Sequence, residues 1–234
     1  MDDVTIIGGG IGGLSLAVGL KQQGIDFEVY EATDEYKAAG AGIIWQVNTM
    51  QALDRLGLAD AVEEHGAAIS KYSTRDVNDE LLMDIPYAEF EKEFGFTCHA
   101  LYRAKQQETL VETVGEENIK MDKECVGLDQ GDETVTVKFA DGTTIEREFV
   151  VGADGMHSAV RESVFDHTVD QLDCVTHRGL PNWAPPEDLK DELWNVHTTK
   201  GNVGFVPLEP ETRQGYWFFT MHDEQIQWET PKQT

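Results

Sequence analysis

Val4-Thr5-Ile6-Ile7-Gly8-Gly9-Gly10-Ile11-Gly12-Gly13 is the stretch on which the fold turns. Residues 3–7 read as a short apolar strand, and residues 12–23 as an apolar helix that Gly24 ends. A second strand follows over residues 25–31, so the first thirty residues spell a β-α-β unit. Between strand and helix, Gly8, Gly10 and Gly13 stand at GxGxxG spacing. In that context the first glycine permits a tight turn and the second admits a pyrophosphate to the backbone. The third lets helix and strand pack closely. The helix start, with Ile11 and Gly12, then presents free N–H groups and a positive dipole end to phosphate.

Working outward, Glu31 lies at the end of the second strand with Ala32 behind it. A carboxylate there accepts hydrogen bonds from a ribose diol and repels a 2′-phosphate. The adenosine of FAD or NAD therefore suits the site better than that of NADP, and these two features do not separate FAD from NAD.

Further along, residues 48–56 read as a helix ended by Gly57, residues 69–86 as strand and turn, and residues 104–114 as a helix after Arg103. Alternating stretches follow at 124–129, 134–140 and 143–151, the last two joined by an Asp141-Gly142 hairpin turn. A second glycine loop comes next, GADGMHSAVR, from Gly152 to Arg161. After about residue 165, prolines interrupt the chain and strands are expected near 193–198, 203–207 and 216–221.

These features in this order resemble the class A flavoprotein monooxygenases, the family of para-hydroxybenzoate and salicylate hydroxylases. GADGMHSAVR is similar to that family's DG fingerprint, through Gly152, Asp154, Gly155, Ser158 and Arg161. The segment AAGAGIIWQVNTMQALDRLGLADAV and Arg103 extend the likeness. Val47 and Gln106 depart from it, standing where the family often has proline and leucine. The resemblance implies FAD as cofactor and NAD(P)H as co-substrate. It also implies hydroxylation of an aromatic or similar small organic molecule by O2, through a flavin C4a-hydroperoxide. It implies FAD contacts at Gly8, Gly10, Ile11, Gly12, Gly13, Glu31, Ala32, Asp154 and Gly155. Gly42, in a small-residue loop with Gly40 and Ala41, is expected near the flavin. Arg103 is expected near the ribityl–phosphate region, and Val126 on the strand whose backbone meets adenine. No catalytic acid or base is assigned, because the flavin carries the chemistry.

The fold class expected is α/β. A Rossmann-like FAD-binding domain over 1–165 carries a mostly β insertion at about 69–100. The start of a substrate-binding sheet occupies 166–234, with Phe205, Pro207, Leu208, Tyr216 and Trp217 as pocket or core. No second GD-type loop follows the sheet, so the C-terminal part of the family fold is expected to lie beyond residue 234. Two other readings stay open: a FAD oxidoreductase of the isoprenoid reductase kind, and a non-catalytic truncated fragment.

Composition excludes several classes. Asp and Glu number 44 against 18 Lys and Arg, a formal charge of −26 dispersed along the chain. Such a surface repels nucleic acid and anionic membranes, and it points to a halophilic source in which salt screens self-repulsion. Cys98, Cys125 and Cys174 form no CxxC pair and are expected reduced. The seven His show no HExxH or clustered metal spacing, His157 has no catalytic role, and Ser158 is not in a GxSxG elbow. No apolar run spans a membrane and no signal peptide is read, so a cytoplasmic protein with a small-molecule substrate is expected.

Overall fold

The structure is a computed structural model, and it describes residues 4–36, 42–165, 169–170, 172, 174–181, 185–209 and 214–222. In chain order the first elements are β1 (Val4–Ile7), α1 (Ile11–Gln22), β2 (Phe27–Tyr30), β3 (Gly42–Trp45), α2 (Val47–Arg55) and α3 (Ala59–His65). Next come β4 (Ala67–Ile69), β5 (Lys71–Asp76), β6 (Leu81–Ile85), α4 (Tyr87–Phe94), β7 (Cys98–Tyr102) and α5 (Arg103–Val114). The rest are β8 (Ile119–Lys120), β9 (Cys125–Gln130), β10 (Val135–Phe139), β11 (Thr144–Arg147), β12 (Phe149–Gly152), α6 (Ala159–Val164), β13 (Cys174–Gly179), β14 (Glu192–Thr198), β15 (Gly201–Pro207) and β16 (Gly215–His222).

The chain forms two compact units. One draws on Met1–Ala39, Ala52–Val62 and Arg103–Asp170. Its centre is a parallel sheet in the order β12-β1-β2-β8. Strands of a parallel sheet covered by helices read as apolar runs; Ile6, Ile7 and Val29 of β1 and β2 are fully enclosed, whereas the edge strand β12 is largely exposed. Gly13, Leu14, Ala17 and Val18 form the buried stripe of α1, at the one-and-four spacing of a helix face. At the far end of α1, Lys21 Nζ donates to the carbonyls of Thr113 and Val114 at 2.9 and 3.1 Å. A cation thereby meets orphan carbonyls at the C-terminus of α5. An antiparallel sheet, β11-β10-β9, adds Val137 and Phe139 to a core with Ile7 and Tyr30.

The run 143–151, expected as one strand, is two. Residues Thr144–Arg147 pair antiparallel with β10, and Phe149–Gly152 pair parallel with β1. Alternation continues through Glu148, so period alone cannot mark where the chain leaves one sheet for another.

The other unit draws on Gly40–Gln51, Glu63–Tyr102 and Gln171–Thr234. A six-stranded sheet runs β13-β16-β15-β14-β5-β6, antiparallel except for the parallel β14–β5 pair. The stretch read as an insertion and the stretch after 165 thus contribute strands to one sheet. A small β3-β7-β4 sheet and α4 enclose a core with Leu193, Val206, Leu208 and Tyr216. Phe205 and Leu208 are fully buried and Tyr216 nearly so, which makes them core, whereas Trp217 is over a third exposed. Gly42 belongs here for a packing reason: a Cβ on it would overlap the Tyr216 ring. Gly40 and Ala41 lie outside the described residues.

Candidate cofactor-binding cleft

The three glycines of the first loop meet different neighbours. Gly8 has φ of +107°, and a Cβ there would overlap the Ala153 carbonyl. Its turn is therefore closed to other residues twice over, by conformation and by space. A Cβ on Gly13 would overlap the Gly8 carbonyl, which fixes how closely α1 approaches the end of β1. A Cβ on Gly10 would meet nothing within 4 Å. The bare backbone of Gly10 therefore faces open space, which is where a pyrophosphate would come.

Gly10 is also the N-cap of α1, has extended backbone and receives no side-chain cap bond, and the first turn holds no acidic residue. In a chain of net charge −26, the first turn itself thus carries no carboxylate. Its unpaired N–H groups and dipole end remain available to an anion.

The cleft in front of this loop has a volume of about 350 Å³. Gly8, Gly10, Glu31, Ala32, Asp154 and Gly155 line it, together with Lys123, Cys125 and His157. The two sequence motifs, more than 140 residues apart by the span from Gly8 to Asp154, meet because β12 pairs with β1. Ala153 N donates to the Ile7 carbonyl at 2.7 Å, setting the second loop beside the first.

Glu31 is engaged before any ligand arrives. Its Oε2 accepts from Gly9 N at 2.7 Å, and its Oε1 accepts from Thr33 N and Thr33 Oγ1 at 2.9 and 3.0 Å. Both acceptor sites of Oε1 are thereby filled, and Oε2 keeps one lone pair for a ribose hydroxyl. Glu31 thus braces the glycine loop as well as facing the cleft.

The second loop is organised by Asp154. Asp154 Oδ1 accepts from Ser158 Oγ at 2.6 Å and Oδ2 from Val160 N at 3.1 Å, while Ser158 Oγ accepts from Arg161 N at 2.9 Å. Arg161 closes the loop by donating to the Met156 carbonyl at 2.7 Å. Ser158 is therefore the N-cap of α6. Gly155 has φ of +81°, the left-handed conformation that lets the loop turn.

Ile11, Gly12 and Gly13 sit in the first turn of α1 and are not among the residues lining the cleft. Val126 is more than half exposed and outside the lining, so it is not a core valine; its neighbour Cys125 faces the cleft instead. Burial, and then the nearby Asp154 charge, push the Cys125 thiol up. Arg103 is the exposed first residue of α5 and does not line this cleft.

Sequence reading missed Lys123. It reaches the cleft because Lys123 N donates to the Glu31 carbonyl and Asp122 N to that of Thr33, tying this turn to the end of β2. No local pattern signals that pairing. Lys123 Nζ is held by Asp141 and by Thr143 Oγ1, and it lies 5.5 Å from the Phe139 ring centroid. Gln107 and Tyr36 were missed as well; both reach Gly9. No group of three or more His, Cys, Asp or Glu suited to a metal occurs among the described residues.

The model of the FAD binding domain family matches residues 1–234. The chain belongs to this family. Among relatives of this FAD binding domain, aurachin C monooxygenase/isomerase of Stigmatella aurantiaca is 30% identical over 93% of the chain and 56% of that protein. A 3-amino-4-hydroxybenzoate 2-monooxygenase of Streptomyces platensis is 34% identical over 97% of the chain and 57% of that protein. The solved structure of a Klebsiella pneumoniae HpxO variant complexed with FAD superposes with a TM-score of 0.85 at 28% identity, over 98% of this chain and 59% of that one. The chain thus spans a little over half the length of these relatives. The cleft fits the FAD that the family binds. The uncapped α1 N-terminus and open Gly10 would hold the diphosphate, and Glu31 with Ala32 the adenosine ribose.

Proposed function

We propose that this FAD binding domain serves a flavin-dependent monooxygenase that hydroxylates an electron-rich aromatic or similar small organic ring with NAD(P)H and O2. Bound FAD supplies the electron transfer and oxygen activation. The chain's residues bind and orient it. Gly8, Gly10, Ile11, Gly12 and Gly13 take the diphosphate on backbone N–H groups, Glu31 and Ala32 take the ribose, and Asp154 and Gly155 shape the second wall. Gly42, Arg103 and Val126 are proposed contacts on the family resemblance alone. The observation that carries the reading is the open, uncapped backbone at Gly10 in an otherwise acidic chain. The names of the relatives support the reaction class.

A small-molecule substrate, and no nucleic-acid partner, fits the charge of −26. Free cysteines fit a reducing, cytoplasmic setting, and no described helix is long and apolar enough to cross a membrane. The same charge supports a halophilic source.

The test is O2 uptake and NAD(P)H oxidation by the full-length, FAD-loaded protein, with 3-amino-4-hydroxybenzoate, the substrate named for the Streptomyces platensis relative, as first probe of a panel of aromatic rings and ¹⁸O₂ as tracer. Ring-dependent O2 uptake with ¹⁸O in the product is expected. Reduction of an isoprenoid double bond without O2 uptake would overturn the reading.

A further inference from the structure

Gly9, the middle glycine of the first loop, is held from three sides. Its N–H donates to Glu31 Oε2 at 2.7 Å. Its carbonyl accepts from the buried Gln107 Nε2, on α5, at 2.6 Å. On its third side, a Cβ would overlap Tyr36 Oη and lie 3.0 Å from Glu31 Oε2. These contacts come from the segment that follows β2, through Glu31 and Tyr36, and from a helix nearly a hundred residues away.

The consequence follows from peptide geometry. The Gly9 carbonyl and the Gly10 N–H belong to one peptide, and no described peptide is cis. In a trans peptide the two groups point in opposite directions. Anchoring the Gly9 carbonyl on Gln107 therefore turns the Gly10 N–H away from α5. The preceding peptide is fixed likewise, because its N–H is spent on Glu31. Glycines at 8, 9 and 10 would otherwise leave this loop with more backbone freedom than any other residue type gives. Binding to a loop that must first be ordered is weakened by the cost of ordering it.

We propose that Gln107 and Tyr36 are positioning residues for FAD. With Glu31, they lock the Gly9 peptide so that the N–H groups of Gly10 and the start of α1 are aimed before the diphosphate arrives. Gln107 acts by its donor and Tyr36 by filling the space beside Gly9. Burial and then the Glu31 charge push the Tyr36 hydroxyl up to about 12, while the Gln107 amide works against them, so it stays protonated as a neutral wall.

The test is FAD affinity of the full-length apoprotein, read by flavin fluorescence quenching, with thermal unfolding of the same apoprotein as control. Gln107→Met keeps the volume and removes the donor; it should weaken FAD at least about tenfold, and apoprotein melting should move little. Gln107→Glu supplies the rescue. As a carboxylate it cannot donate to the Gly9 carbonyl, and once protonated it can. Its FAD affinity relative to wild type at the same pH should recover as pH falls from 8 to 5.5. Gly9→Ala should weaken FAD strongly, and Tyr36→Phe in the same chain should restore part of the loss by removing the overlapping oxygen. Unchanged affinity in Gln107→Met, or Gln107→Glu tracking wild type at every pH, would overturn the assignment. Gly9→Ala defects that Tyr36→Phe does not relieve would remove Tyr36 from it.

Discussion

Gly13 stands directly against the Gly8 carbonyl, so close that a Cβ on Gly13 would occupy the oxygen's place. Gly10, between them in sequence, has nothing within 4 Å of where its Cβ would be. The same motif therefore holds one glycine that the packing requires and one at which the packing leaves room for a side chain. Gly13→Ala should destabilise the protein by about 1–3 kcal/mol, the usual cost of overpacking. Gly10→Val should change stability by no more than about 1 kcal/mol. It should nonetheless lower FAD affinity at least about 100-fold, by removing access to charge-assisted backbone hydrogen bonds. Thermal unfolding and FAD titration of both variants are the measurement. Full FAD affinity in Gly10→Val would displace the diphosphate from this loop.

The second loop depends on a short relay. Ser158 caps α6 through Arg161 N, and Asp154 holds Ser158 and Val160 N. Ser158→Ala should cost about 1 kcal/mol, the typical value for loss of an N-cap. Asp154→Asn should loosen the loop further, because an amide offers one acceptor where two donors are held. Amide hydrogen exchange at Val160 and Arg161 should speed up in both variants. Protection equal to wild type would mean that the loop is held by backbone alone.

Much of this was legible in the sequence, for a definite reason. Gly8, Gly10, Gly13 and Glu31 belong to one local unit, where spacing along the chain is spacing in the fold. Gly57, at φ +67°, ends α2 where its sequence position says a helix should stop. What escaped depends on distant pairing. Lys123 reaches the cleft through hydrogen bonds to the end of β2, and Gln107 reaches the Gly9 carbonyl because α5 lies beside α1. The helices α3 and α4 were missed because each is short. In α4, Tyr87, Phe90 and Phe94 do fall at helical spacing, but over only eight residues. The family resemblance added Asp154 and Gly155, which line the cleft, and Arg103, which does not.

His99, on β7, is buried between Trp45 of β3 and Ala68 of β4 in register. Burial holds its pKa below the usual 6.5, although the backbone at Thr97 and the charges of Glu63 and Glu91 pull the other way. The folded state therefore resists protonation that the unfolded chain accepts. Stability from this group is fully present above about pH 6.5 and declines as pH falls toward the lower folded value. His99→Leu should remove that part of the decline between pH 7.5 and 5. The check is the difference in melting temperature between those pH values, in wild type and variant. Identical pH dependence in the two would mean that His99 is protonated as readily folded as unfolded.

The charge of −26 sets the last expectation. Attractive pairs exist, such as Arg147 with Glu28 at 2.9 Å and Lys138 with Asp129 at 2.6 Å. Salt weakens these as well as the repulsion, so the sign of its effect must be decided by number. Even if all 18 Lys and Arg were paired, 44 − 18 leaves 26 carboxylates repelling one another. Exposed ion pairs contribute little, about 0–1 kcal/mol each. Repulsion therefore dominates, and screening it should stabilise the fold. The Debye length falls from about 10 Å at 0.1 M to about 3 Å at 1 M, so most of the gain should come across that range. Melting temperature should rise steadily with KCl. Asp132→Lys and Glu133→Lys together, on the exposed turn between β9 and β10, should raise it at low salt and flatten its salt dependence. A melting temperature level from 0.1 to 2 M KCl, with no response to the double substitution, would show that surface repulsion does not limit this fold.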